Sequence, residues 1–136
     1  MKNLSTIILI LFAFNLLSAQ GTVEITDLVV QQTENNLFTV TVEVTNSTSR
    51  EISEIAGYID IYDNSNRIVK KEFFQIQHVH DIPLRPHESK SSSVVIDQRP
   101  NMSKTALYRI THLRFFGEQN VYLVCPNCGE IILKDE

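Results

Sequence analysis

The sequence predicts an all-β fold, an antiparallel sandwich of seven or eight short strands. Three observations predict it. Phe38, Val40, Val42 and Val44 alternate with Thr39, Thr41, Glu43 and Thr45, the period of a strand with one face in an apolar core. Turn-forming clusters such as AsnSerThrSer at 46–49 and AspAsnSerAsn at 63–66 separate the alternating runs. After residue 19 no stretch carries a helical apolar period, and the alternating runs are rich in β-branched residues, whose first side-chain torsion is more restricted in a helix.

The chain opens with a segment that reads as a leader over residues 1–19. Lys2 precedes the apolar run Ile7 to Phe14, and Leu17-Ser18-Ala19 ends it, the three-part pattern of a secretory signal peptide. Asn15 interrupts the run, which is shorter than the roughly 20 residues that cross a membrane. No Cys follows it to take a lipid, so no transmembrane or lipid anchor is expected in the mature chain. Cleavage after Ala19 removes 19 of 136 residues and leaves 117, a single domain over 20–136 with a core of its own. Taking Lys2 from 12 basic residues leaves 11 against 16 acidic ones, a net charge of −5. An acidic chain whose one basic pair is Lys70-Lys71 argues against nucleic acid and anionic membrane surfaces as partners.

Each further element follows in order. Val23 to Val30 reads as the first strand, with Val23 and Ile25 alternating, and GlnGlnThrGluAsnAsn at 31–36 as a polar turn. After the Phe38 to Thr45 strand, Ile55, Gly57, Ile59 and Ile61 form one face of the next and Ala56, Tyr58, Asp60 and Tyr62 the other, polar one. AspAsnSerAsn turns the chain into a return strand from Arg67 to Ile76, in which the pair Phe73-Phe74 predicts a bulge or strand end. Pro83 and Pro86 predict a loop or edge, because proline donates no ladder hydrogen bond. Ser89 to Asp97 is a strand with Val94 and Ile96 inward, and residues 99–103 turn. Thr105 to Phe116 carries large residues on both faces, which predicts a central strand, and Val121 to Cys125 a final one.

Ile59-Asp60-Ile61-Tyr62-Asp63 resembles the motif of the FxLYD domain family, with Ile59 and Ile61 where that family has Phe and Leu. Val42-Glu43-Val44-Thr45-Asn46-Ser47-Thr48 before it, Arg67 to Lys70 after it, and Ile82-Pro83-Leu84-Arg85-Pro86-His87-Glu88-Ser89 are similar to the family's pattern. There His87 replaces a Gly. The resemblance covers residues 38 to 97. It implies a small immunoglobulin-like sandwich in an exported bacterial protein, and it carries over no catalytic residues.

Chemistry concentrates in few places. Cys125 and Cys128, the only cysteines, can close a disulfide, hold a metal or exchange disulfides. Outside the cytosol the disulfide is the expected state. Zinc is the cofactor that a Cys125-Pro126-Asn127-Cys128-Gly129 knuckle would take, with the missing ligands supplied by His78, His80 or His112 or by a second copy of the chain. Thiol exchange wants a helix after the first thiol, and the tail after Cys128 does not offer one. Tyr62 and Asp63 could form a binding patch, but the turn chemistry favours a structural role, with Asp63 capping the hairpin by accepting a backbone amide and Tyr62 packing beside it. No nucleophile with its base, no carboxylate pair and no phosphate-binding glycine loop is legible, so no catalytic residue is predicted.

These features predict a non-enzymatic exported module, periplasmic or extracellular, that binds a protein, a glycan or another envelope component. The alternative is a zinc-binding or thiol-active protein centred on the CxxC pair.

Overall fold

The computed structural model describes residues 21–125 and 128–134; the expected leader and its cleavage point, as well as Pro126 and Asn127, lie outside the described residues. Eight strands form two antiparallel sheets. The first holds β1 (Val23–Thr33), β2 (Leu37–Asn46) and β5 (Ser89–Asp97) in the order β1-β2-β5. The second holds β3 (Ile52–Asp63), β4 (Ile68–Gln77), β6 (Met102–Phe115), β7 (Tyr122–Val124) and β8 (Ile131–Leu133) in the order β4-β3-β6-β7-β8. The described residues contain no helix.

The alternation of β2 does what it predicts. Phe38, Val40, Val42 and Val44 are buried in one core with Ile55, Ile59 and Ile61 of β3, and the threonines between the β2 residues stay on the outer face. Each such side chain contributes roughly 1.5–3 kcal/mol of burial, which is why the central strands fix the register of their neighbours.

Several elements depart from the sequence reading. β1 continues to Thr33, so the turn shrinks to residues 34–36, where Asn35 and Asn36 take φ of +73° and +59°. Asparagine tolerates that left-handed backbone, and an edge strand can carry polar residues at no loss of core. The Phe73-Phe74 pair holds regular register with Tyr58 and Gly57, and the bulges fall on either side of it, at Val69 and Ile76. Phe74 turns inward to Tyr108, with ring centroids 6.0 Å apart, while Phe73 lies on the outer face against Tyr58 at 5.6 Å. The segment read as the final strand is followed by β8, which folds back on β7 as a hairpin.

β6 is central, but its two-faced pattern has a further cause. Ala56 pairs with His112 and Gly57 with Ile110, so Thr111 is an extra residue that inverts the phase of the strand. Ala106, Tyr108 and Ile110 are buried before it, and Leu113 and Phe115 after it. Beside this bulge the backbones run close. A β-carbon on Gly57 would run into the Arg109 carbonyl oxygen, so only glycine fits there.

Asp60, read as part of a solvated face, is buried. Its outward position is covered by Arg109 of β6, whose Nε donates to Oδ2 at 2.6 Å. The two lie diagonally across the β3–β6 pairing, within reach for a long side chain.

Candidate functional site

A cleft of about 580 Å³ opens at one end of the sandwich. That volume falls within the range of small-molecule sites, roughly 300–1,000 Å³. Ser47, Thr48, Ser49 and Arg50 of the β2–β3 loop form one wall, His87 and Gly21 another, and Phe115, Tyr122 and Ile131 of β6, β7 and β8 the third.

Asn46, the last residue of β2, builds the first wall. Its side chain is fully buried and uses its whole hydrogen-bonding capacity. Nδ2 donates to the carbonyls of Arg50 at 2.8 Å and Leu84 at 3.0 Å, and Oδ1 accepts from the Thr48 amide at 3.0 Å and hydroxyl at 2.6 Å. Its main chain joins the same junction, donating to the Glu88 carbonyl at 2.9 Å and accepting from the His87 amide at 2.6 Å. One amide side chain therefore holds two loops in fixed relation.

His87 sits in that second loop at φ +66°, a left-handed backbone that disfavours a β-carbon. The side chain is exposed, so little packing opposes a change. His87→Gly is expected to raise stability by about 0.5–1 kcal/mol, the left-handed penalty less the chain entropy that glycine loses. Urea unfolding measures the gain.

Three of the lining residues, Arg50, Phe115 and Tyr122, join Glu118, which does not itself line the cleft, in one charged and aromatic cluster. The Arg50 guanidinium lies 4.0 Å over the centroid of the Phe115 ring and forms an ion pair with Glu118. The Tyr122 hydroxyl donates to the other Glu118 oxygen at 2.8 Å, and its ring meets Phe115 edge-on with centroids 5.2 Å apart. The Arg50 hydrogen bond, seconded by Tyr122, holds the Glu118 carboxyl below its usual range, and Glu118 in turn raises Arg50. Both therefore stay charged across the physiological range and act as fixed hydrogen-bonding groups.

The residues singled out from the sequence lie apart. Cys125 and Cys128 form a disulfide at the turn between β7 and β8, with Cα atoms 5.5 Å apart. His78 and His80 are exposed in the loop after β4, at the opposite edge of the five-stranded sheet, with β3 and β6 intervening. His112 is half-buried on β6 with Nδ1 2.7 Å from the Thr111 hydroxyl. Among the described residues no three or more His, Cys, Asp or Glu side chains are placed to hold one metal ion. Ile59 and Ile61 are core residues, and Tyr62 is half-buried. Asp63 Oδ1 accepts the amides of Ser65 at 2.8 Å and Arg67 at 2.9 Å, a cap on the β3–β4 hairpin.

No family model, curated protein or solved structure matches the chain.

Sequence reasoning missed Arg50, Phe115, Glu118 and Tyr122. They come from separate segments, and Arg50 and Glu118 are 68 positions apart. The one local signal was the Asn46-Ser47-Thr48 turn, which marked the wall without showing what faced it.

Three carboxyls share a pH signature. Asp63 is lowered chiefly by the Arg67 amide, Asp81 by the Lys90 ammonium at 2.6 Å, and Glu118 by Arg50. Depressed carboxylates contribute stability that is present above the unfolded-state pKa, about 4, and lost as pH falls through the lower folded values. The melting temperature is thus expected to hold steady down to about pH 5 and to fall steeply below about pH 4. Asp63→Asn should flatten part of that fall.

Proposed function

We propose that the protein is an exported, non-catalytic immunoglobulin-like β-sandwich, related to FxLYD domains, that serves the cell envelope as a binding module. The ligand-binding surface is the end cleft. The observation that carries this reading is the Arg50–Glu118–Tyr122 cluster on Phe115, in which every charged group is already matched. Because guanidinium and carboxylate neutralise each other, the cleft attracts neither anions nor cations strongly. What it offers is hydroxyls from Ser47, Ser49 and Tyr122, spare guanidinium donors and ring edges. This suits a neutral, hydroxyl-rich ligand, and of the expected partner classes a glycan of the envelope fits best.

Titration with neutral and acidic oligosaccharides, read by thermal shift, tests the reading. Neutral oligosaccharides should raise the melting temperature, and the exposed substitution Ser49→Trp, which fills the cleft, should abolish the effect. A response to acidic sugars alone, or none to either, contradicts it. Export is tested by the intact mass of protein recovered outside the cytosol, which should correspond to cleavage after Ala19 less the two hydrogens of the disulfide.

A further inference from the structure

We propose that the Cys125–Cys128 disulfide is a reducible clasp that sets the shape of the cleft, an inference that rests on the binding role of that cleft. The β7–β8 hairpin is a light attachment. β7 joins β6 through the pairs His112–Leu123 and Leu113–Tyr122, and β8 joins only β7. Yet this hairpin supplies two of the three residues of the third wall, since Tyr122 precedes Cys125 and Ile131 follows Cys128 on its two arms. The disulfide ties the arms together at their turn.

Local bonds transmit that tie. The Cys125 amide donates to the Glu130 carbonyl at 2.8 Å, the Gly129 amide to the Cys125 carbonyl at 2.9 Å, and the Cys128 amide to Cys125 Sγ at 3.3 Å. The Thr22 hydroxyl donates to the Gly129 carbonyl at 2.9 Å, which ties the residues before β1 to the same turn. Gly21, next in the chain, lines the cleft. One residue of the second wall, Gly21, and two of the third, Tyr122 and Ile131, thus adjoin this turn.

Cys128 is exposed, so an external dithiol can reach it. Its thiolate attacks Cys128 Sγ, breaking the protein's S–S bond and releasing Cys125 as a thiolate, with a mixed disulfide formed at Cys128. The second reductant thiol then displaces Cys128 and leaves as the oxidised disulfide. Two electrons pass to the protein, and two protons complete its thiols. Once open, the hairpin keeps the β6–β7 pairs, the Tyr122 contacts with Phe115 and Glu118 and the Thr22–Gly129 bond, but it loses the covalent tie at its turn, and the third wall is held less firmly.

Hydrogen exchange of the intact mature chain, with and without dithiothreitol, tests the clasp. Reduction should speed exchange at residues 21–25 and 121–134 by at least about tenfold and leave β2 and β3 unchanged. Cys128→Ser should reproduce the reduced pattern without reductant. Equal exchange in both states overturns the clasp, and so does faster exchange throughout, which would make the disulfide a global brace. The oligosaccharide titration run on both states separates the two readings. Failure to bind in either state counts against the cleft's role, while the exchange result judges the clasp by itself.

Discussion

Asn46→Asp is expected to destabilise the fold by about 3–5 kcal/mol although it exchanges one atom. The asparagine donates two hydrogen bonds to the buried carbonyls of Arg50 and Leu84. A carboxylate has no proton to donate, so it would face both oxygens with like charge and leave them unpaired. A protonated carboxyl would serve only one of them and would need its pKa raised far above the usual range. The loss reaches the cleft, because the same bonds hold Thr48 and Arg50 in its wall. Urea unfolding of the two proteins at pH 7 measures it. A loss under about 1 kcal/mol would mean that the junction tolerates an unpaired carbonyl pair, contrary to the geometry.

Arg109→Met is the second large effect, expected to cost about 3 kcal/mol or more. Asp60 is buried, and its Oδ1 has no hydrogen-bond partner among the described residues. The arginine on Oδ2 is its one compensation, and removing it strands a buried carboxylate. The reverse change is milder, since the Arg109 side chain is 35% exposed and can turn to water. Asp60→Asn should therefore cost about 1 kcal/mol, and the pair Asp60→Leu with Arg109→Met less than Arg109→Met alone. Equal costs for the two single changes would contradict the asymmetry.

β2 was legible because its alternation runs unbroken from Phe38 to Val44 and its inner face meets only core. β1 and β6 were harder. Thr26 and Thr111 are extra residues that shift the inward phase from Val23 and Ile25 to Leu28 and Val30, and from Ile110 to Leu113. A bulge is chosen by pairing across strands, and a lone threonine carries no mark of it. Asp60 was misplaced for a similar reason. Its charge spoke for solvent, and the residue that covers it, Arg109, lies 49 positions away. The cysteine pair was legible in spacing and in its disulfide. That it borders the cleft was not, because Ser47, Phe115, Tyr122 and Ile131 meet only through sheet topology.

We propose that the end cleft is where the protein meets its ligand. Amide shifts of isotope-labelled protein spanning residues 20–136, followed during titration with a neutral oligosaccharide, test this directly. The expected result is a contiguous set of shifts at residues 47–50, His87, Tyr122 and Ile131, with the outer face of β2 silent. Shifts confined to the threonine face of β2 or to the loop at His78 and His80 would contradict it.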